Sequence, residues 1–313
     1  MRFNTLGKSG IQVSAVALGT WAMGGDFWGA IDEQLCIDAL HAGLDHGINL
    51  IDTAPVYGKG YSEEIVGKAI KGRRDRLVLA TKCGIDIGEK GGRDASRKAI
   101  FEGLEGSLKR LGTDYVDLLQ IHWPDPETPV EESMEALLDL KKQGKIRAIG
   151  VSNFDNELMS SCLALGQLDT LQPQYSLLER EIEKDILPFC REKGIGVLSY
   201  GSIGAGLLAG KFTEPPKAEG GDKRANFYPF FKEPLFSKAL RLVEVLKGIA
   251  QAHEKPVAHV AINWVAQQEG MSSALVGCKN PAQAIENAAA GDWDLSADEI
   301  AAINKALTEI YGA

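Results

Sequence analysis

Four residues in the first 122 positions of this chain carry the groups of a proton-transfer site: a carboxylate at Asp52, a phenol at Tyr57, an amine at Lys82 and an imidazole at His122. Three of them close short apolar runs: Ile48-Asn49-Leu50-Ile51-Asp52, Leu77-Val78-Leu79-Ala80-Thr81-Lys82 and Val116-Asp117-Leu118-Leu119-Gln120-Ile121-His122. Each run reads as a buried strand. Taken singly, Asp52 could cap a loop and Tyr57 could be a packing aromatic. Three polar residues at three successive strand ends point instead to one shared location. In a barrel of parallel strands the C-terminal ends converge on one mouth, where catalytic residues collect.

A phenol with its ordinary pKa near 10 is a poor acid at neutral pH. A neighbouring Lys82 ammonium favours the phenolate and is expected to bring Tyr57 nearer neutrality, with Asp52 holding that buried cation in place. His122 could donate to a carbonyl oxygen and fix its direction. This set suits reduction of an aldehyde or ketone, the phenol protonating oxygen while hydride arrives at carbon. Side chains supply the proton but no hydride, so this chemistry requires a nicotinamide cofactor.

The elements that must position these groups alternate along the chain. Strand candidates close near Thr20, Asp52, Lys82, His122, Ser152, Gln172, Tyr200 and Gly277, with amphipathic stretches Glu33–His46, Ser62–Lys71, Asp94–Leu111, Val130–Gln143, Asn156–Leu165 and Ile182–Lys193 between them. In the third stretch Ile100, Leu104, Leu108 and Leu111 mark one helix face, with Asp94 and Gly112 as expected caps. Eight strands with intervening helices predict parallel βα units and an α/β fold. The interval from Tyr200 to Gly277 is much longer, and holds a glycine- and charge-rich loop (Glu214–Lys223) and two helical patterns, Ser237–His253 and Pro256–Gln268. It reads as a loop and helix insertion folding over the mouth after the seventh barrel strand. The opening residues predict a small N-terminal β-hairpin. No linker divides the chain, so residues 1–313 read as a single domain. A doubly wound sheet is the main rival, but the segment Leu18-Gly19-Thr20-Trp21-Ala22-Met23-Gly24-Gly25 lacks its G-x-G-x-x-G fingerprint.

Composition narrows the classes of function. A net charge of −9 and a pI near 5.2 argue against a nucleic-acid or anionic-membrane surface. No window reaches the roughly 18 apolar residues of a membrane span, and the N-terminus lacks the apolar core of a signal peptide. Five scattered cysteines (Cys36, Cys83, Cys162, Cys190, Cys278) fit neither a disulfide framework nor a zinc ribbon, which predicts a reducing cytoplasm and no metal site. Cys83 could be a thiol near the site, although a small packing residue is the simpler reading.

The motifs resemble one family. Asp52-Thr53-Ala54-Pro55-Val56-Tyr57-Gly58 with Glu63-Glu64-Ile65-Val66-Gly67 looks like the signature of the aldo-keto reductases, and Leu79-Ala80-Thr81-Lys82, Asp117-Leu118-Leu119-Gln120-Ile121-His122-Trp123 and Gly150-Val151-Ser152-Asn153-Phe154 resemble its later motifs. The likeness runs from about Leu18 to Asn287 and is closest to bacterial-type NADPH-dependent reductases, near the relatives of potassium-channel β subunits. It implies a (β/α)8 TIM barrel that binds NADPH without a Rossmann fold, and a catalytic tetrad of Asp52, Tyr57, Lys82 and His122.

The resemblance also implies where the cofactor sits. Gly19, Thr20, Trp21 and Asp52 are expected to contact the cofactor, Ser152, Asn153 and Gln172 hydrogen-bond the carboxamide, and Tyr200 stacks on the ring. Gly201, Ser202, Gly204, Gly206, Gly210 and Lys211 run beneath the pyrophosphate, in a segment that is no P-loop because Phe212 replaces its Ser/Thr. Arg224 is a weaker contact over the cofactor. Gly277, Lys279, Gln283 and Asn287 match the adenosine end, Lys279 supplying a cation for the 2′-phosphate. Trp21, Trp28, Tyr57, His122 and Trp123 would wall an aromatic substrate pocket, with Phe27, Val56, Phe227, Tyr228, Phe230 and Phe231 near it. A small carbonyl compound is the expected partner, and a homo-oligomer stays open. Two further readings remain: a nicotinamide-binding redox sensor or channel-β-subunit-like partner with slow turnover, and a metal-dependent isomerase or aldolase on the same barrel.

Overall fold

The computed structural model describes residues 1–88, 91–217 and 221–312, so residues 218–220 of the expected Glu214–Lys223 loop lie outside the described residues. Two short antiparallel strands, β1 (Phe3–Thr5) and β2 (Gln12–Ser14), form the expected hairpin. Eight parallel strands then close into a barrel: β3 (Val16–Gly19), β4 (Leu50–Asp52), β5 (Val78–Cys83), β6 (Val116–Ile121), β7 (Ile146–Ser152), β8 (Thr170–Gln172), β9 (Gly196–Ser199) and β10 (Met271–Gly277). Closure leaves the barrel sheet without a free edge among the described residues, since β10 pairs with both β9 and β3.

Helices α1 (Glu33–Asp45), α2 (Tyr61–Ile70), α3 (Arg97–Leu111), α4 (Val130–Lys142), α5 (Asn156–Leu165) and α6 (Ile186–Lys193) alternate with the strands. The larger apolar core lies between this helical ring and the outer faces of the strands. A second core fills the barrel itself, where Leu50, Val78, Leu118 and Leu198 meet Leu6, Ile11 and Val13 of the hairpin. The hairpin therefore stops the N-terminal end of the barrel, leaving its C-terminal end as the one open mouth.

Register sets which side chains share a layer. Gly19 pairs with Asp52, Lys82 with Gln120, Gln120 with Gly150 and Ser152 with Gln172. These layers carry the polar residues that the apolar runs below them cannot accommodate.

After β9 come a short helix α7 (Arg224–Phe227), the long α8 (Leu235–Ala252) and α9 (Val257–Ala266). Phe230, Phe231 and Phe236 pack with Leu207 and Ala239 into a third cluster, against which Trp21, Phe27 and Trp28 lie. The chain ends with α10 (Pro281–Ala289) and α11 (Ala297–Tyr311).

Some local expectations are corrected. Ser96, not Asp94, caps α3, its hydroxyl accepting from the Ala99 N–H at 3.3 Å while Asp94 accepts from the Ser96 N–H. Ile182 lies in a separate tight turn, Glu181–Glu183, and α6 starts only at Ile186. The sequence reading does not anticipate α11. Its signal was present: Ser296 and Glu299 form a capping box ahead of the buried Ile303, Leu307 and Ile310.

Candidate active site

At the C-terminal strand ends the structure brings Asp52, Tyr57, Lys82 and His122 together. Asp52 closes β4 and Lys82 lies one residue before the end of β5. The Lys82 ammonium donates to Asp52 Oδ2 at 2.6 Å, to the Thr53 carbonyl at 3.1 Å and to the Tyr57 hydroxyl at 3.2 Å. Lys82 and Asp52 are both almost wholly buried. The His122 ring stands edge-on to Tyr57, with centroids 5.9 Å apart.

Tyr57 follows β4 in a turn whose shape depends on Gly58. That glycine has φ 62°, and a Cβ there would stand 2.3 Å from the Gly24 carbonyl oxygen. No larger residue fits so close an approach, so the turn fixes where the Tyr57 ring begins. Trp21 stacks against the same ring at 6.1 Å.

The electrostatics depart from the expectation for Tyr57. Burial raises its pKa, and the nearby Asp52 charge adds to that, so the pull of the Lys82 ammonium does not bring the phenol down. The resting phenol is firmly protonated, the form a proton donor needs. Burial works against the Lys82 ammonium too, but Asp52 and Tyr57 outweigh it and keep the cation. Burial, then Lys82, holds His122 well below 6.5, so its imidazole is neutral. His122 Nδ1 is buried without a hydrogen-bond partner. Cys83 is buried beside the Gln120 carbonyl and its thiol is pushed up to about 12, which makes it unreactive.

Asp52, Tyr57 and His122 line a cavity of about 670 Å³ that extends from the strand ends toward β10. Lys82 does not line it; the lysine lies behind Tyr57. The residues expected at the carboxamide are interlinked. Asn153, in the left-handed region at φ 61°, donates to the His122 carbonyl at 3.2 Å and accepts from the Tyr200 hydroxyl at 2.9 Å. Ser152 donates to the Gln172 carbonyl at 2.7 Å. The Gln172 amide nitrogen donates to Asp52 Oδ1 at 2.9 Å, leaving its oxygen as the free end.

Further along, Gly19, Thr20, Gly201, Ser202 and Gly206 line the same cavity. Gly277, Lys279 and Gln283 close its far end. The Lys279 ammonium donates to the Trp28 carbonyl at 2.8 Å, and its backbone N–H donates to Gln283 Oε1 at 2.8 Å. Arg224 also lines the cavity, but its guanidinium is held by Asp222 and by the Ala205 carbonyl at 3.0 Å.

Besides Lys82, four expected cofactor residues do not line the cavity. Gly204 packs near Leu178 and Leu208, Gly210 lies near Val243 and Lys247, and Lys211 is exposed. Asn287 is buried under the end of β10, donating to the Gly277 carbonyl at 3.3 Å.

Trp21, Trp28 and Trp123 wall the cavity with Phe27, Phe227 and Tyr228, whereas Phe230 and Phe231 pack into the insertion. A backbone bridge between Trp28 and Asp222 ties the insertion to the loop after β3. The sequence reading misses Gln120, which lies in β6 and donates to Asp52 Oδ1 at 3.2 Å. An amide inside an otherwise apolar run, two residues before His122, was its signal.

The arrangement is a buried cation fixed between a carboxylate and a phenol, beside a neutral imidazole, at an aromatic-walled cavity open at the barrel mouth. Comparisons with known proteins place the chain in one family. The aldo/keto reductase family model matches residues 15–308, and the chain belongs to that family. It is 46% identical to aldo-keto reductase YhdN of Bacillus subtilis over 98% of this chain and 94% of the relative. It is 39% identical to the NADH-specific methylglyoxal reductase of Escherichia coli, over 93% of this chain and 94% of the relative. Among solved structures, the glycerol dehydrogenase AKR11B4 of Gluconobacter oxydans superposes with a TM-score of 0.89 at 41% identity, covering 97% and 94% of the two chains. An aldo-keto reductase of Klebsiella pneumoniae in complex with NADPH superposes with a TM-score of 0.77 at 32% identity, covering 97% and 95%.

Proposed function

We propose that this chain is an NADP(H)-dependent reductase of aldehydes and ketones, with Tyr57 as the proton donor. One observation carries the reading: the Tyr57 hydroxyl receives a hydrogen bond from a buried, charged Lys82 at 3.2 Å, with Asp52 2.6 Å behind that cation. As the phenol gives its proton to a carbonyl oxygen, negative charge develops beside a fixed ammonium, which is electrostatic preorganisation. The neutral His122 directs the carbonyl oxygen toward the phenol by a hydrogen bond.

The residues present fit a nicotinamide nucleotide. The Gln172 oxygen offers the acceptor that a carboxamide nitrogen requires, next to the Ser152–Asn153 pair, and Tyr200 offers a flat ring beside them. Backbone around Gly201 and Gly206 suits phosphate, with Lys279 and Gln283 at the far end. When bound, the reduced nucleotide supplies the hydride. The aromatic wall of Trp21, Trp28 and Trp123 favours carbonyl compounds with apolar substituents. Five free, buried cysteines and an acidic net charge support a cytoplasmic location.

Nucleotide preference rests on Lys279, one cation without the fork of an arginine. Titration by quenching of tryptophan fluorescence, NADPH against NADH, tests it. In wild type NADPH binds more tightly; Lys279→Ala weakens NADPH about tenfold and NADH by less than twofold, the worth of one charge-assisted contact. Equal weakening of both nucleotides would remove Lys279 from the 2′-phosphate. Failure of either nucleotide to bind wild type would overturn the reductase reading itself.

A further inference from the structure

Asp52 divides its two oxygens between different tasks. Oδ2 accepts from Lys82 at 2.6 Å, whereas Oδ1 accepts from two amides, Gln120 at 3.2 Å and Gln172 at 2.9 Å. The amides are linked to each other, Gln172 Nε2 lying 3.4 Å from Gln120 Oε1. Gln172 lines the cavity, but Gln120 does not. Gln120 is wholly buried in the barrel interior, on the same face of its strand as His122.

The barrel is shaped to admit it. Its register partner on β7 is Gly150, and a Cβ there would stand 2.8 Å from Gln120 Cγ and 2.2 Å from Thr170 Oγ1. An aliphatic residue at 120 would pack this layer without the cost of burying an amide. What the amide adds is a donor aimed at the one Asp52 oxygen that Lys82 leaves free.

We propose that Gln120 is a positioning residue for the proton transfer: it locks Asp52 so that Oδ2 alone faces Lys82, and thereby keeps the ammonium on the Tyr57 oxygen. The inference rests on the reductase reading above. A buried ion pair is stable only when its remaining lone pairs are also satisfied. With one donor gone from Oδ1, the Asp52 anion is less stabilised, Lys82 is held less firmly as a cation, and the phenolate loses support. The titratable groups facing this network are Asp52 on β4, Tyr57 after it, Lys82 on β5, His122 after β6, Tyr200 after β9 and Tyr228 of the insertion.

The test is Gln120→Met, an unbranched side chain that keeps the space beside Gly150 filled, read as kcat against pH for carbonyl reduction and for the reverse alcohol oxidation. The limb that reports Tyr57 moves to higher pH by about one unit, a tenfold loss of oxidation rate on that limb. Nucleotide Kd and carbonyl KM stay within about twofold of wild type, because Gln120 touches neither molecule. In an Asp52→Asn background the same substitution shifts nothing further, since it acts through Asp52. A folded Gln120→Met with an unmoved limb overturns the proposal, even where kcat and thermal stability both fall. If Gln120→Met does not fold, Gln120→Glu carries the test: its carboxyl donates only when protonated, so an added ionisation must appear, and a wild-type profile overturns the proposal. Tyr57→Phe separates the two readings. Turnover retained there sinks the reductase assignment, whereas a dead Tyr57→Phe beside a Gln120→Met of wild-type profile sinks only the role of Gln120.

Discussion

Removing one oxygen from Tyr57 separates proton donation from everything else that residue does. In Tyr57→Phe the Lys82 ammonium loses the acceptor at 3.2 Å but keeps Asp52 at 2.6 Å and the Thr53 carbonyl at 3.1 Å. The buried ion pair therefore survives. The ring keeps its stacking on Trp21 and its edge contact with His122. One net hydrogen bond is worth about 0.5–1.5 kcal/mol, which for a chain of this size moves Tm by only a few degrees. The rate is affected far more. A positioned general acid contributes about 10²–10⁴-fold, or roughly 3–5 kcal/mol of barrier.

The assay is consumption of reduced nucleotide with a simple aldehyde, run beside nucleotide titration by tryptophan fluorescence. Reduction falls at least a hundredfold, while nucleotide Kd stays within about twofold, because the phenol oxygen is spent on Lys82 and the carbonyl. A folded variant retaining more than a tenth of wild-type kcat would show that another group donates the proton. Loss of nucleotide binding in step with activity would show that Tyr57 holds the cofactor instead.

Two further outcomes are specified by groups around the site. Glu63 is wholly buried and held by Arg110 Nε at 2.7 Å and the Thr81 hydroxyl at 2.6 Å, so Arg110→Met strands its charge beside the strand that carries Lys82. Denaturant unfolding should show a loss of about 3–5 kcal/mol; a loss under 1 kcal/mol would mean that the pair is dispensable. His122, kept neutral by burial and by Lys82, sits well below its ordinary 6.5. The unfolded chain takes up a proton below pH 6.5 that the folded chain refuses, so His122 costs stability as pH falls from 6.5, by up to about 1.4 kcal/mol per unit. Urea midpoints followed from neutral pH downward should fall less steeply for His122→Asn, and equal slopes would show that the imidazole charges freely in the fold.

The barrel was legible because its signals are local. Eight apolar runs and the helical patterns between them are short-range features, and their order leaves few topologies. The positions of Asp52, Lys82 and His122 were legible for the same reason, each being a polar residue at the end of such a run. What the sequence hid depends on register and on distance. Gln120 shares a layer with Lys82 and Gly150 only because strands pair as they do, and Gln172 reaches Asp52 across 120 positions of chain. The linkage of Lys279 to Trp28, 251 positions away, was hidden likewise, since neither residue's neighbours point to the other. Cap identity failed at Asp94 because two acceptors, Asp94 and Ser96, compete within one turn.

For Tyr57 the structure reverses the expectation from sequence, and the reversal bears on mechanism. Reasoning from Lys82 alone brings the phenol toward neutrality, which suits a residue that must both give and take a proton. Burial reverses the sign, and Asp52 reinforces the reversal. On the proposed reading a reductase gains from that: a phenol held protonated at neutral pH is ready to donate, and the ammonium at 3.2 Å supports the phenolate that then forms. The same cation cannot serve this purpose unless it stays charged in an apolar barrel. Its charge depends on Asp52, and the Asp52 anion depends in turn on the amides of Gln120 and Gln172. On the proposed reading, proton donation at the mouth thus draws on a hydrogen bond one layer deeper, from Gln120, which does not line the cavity.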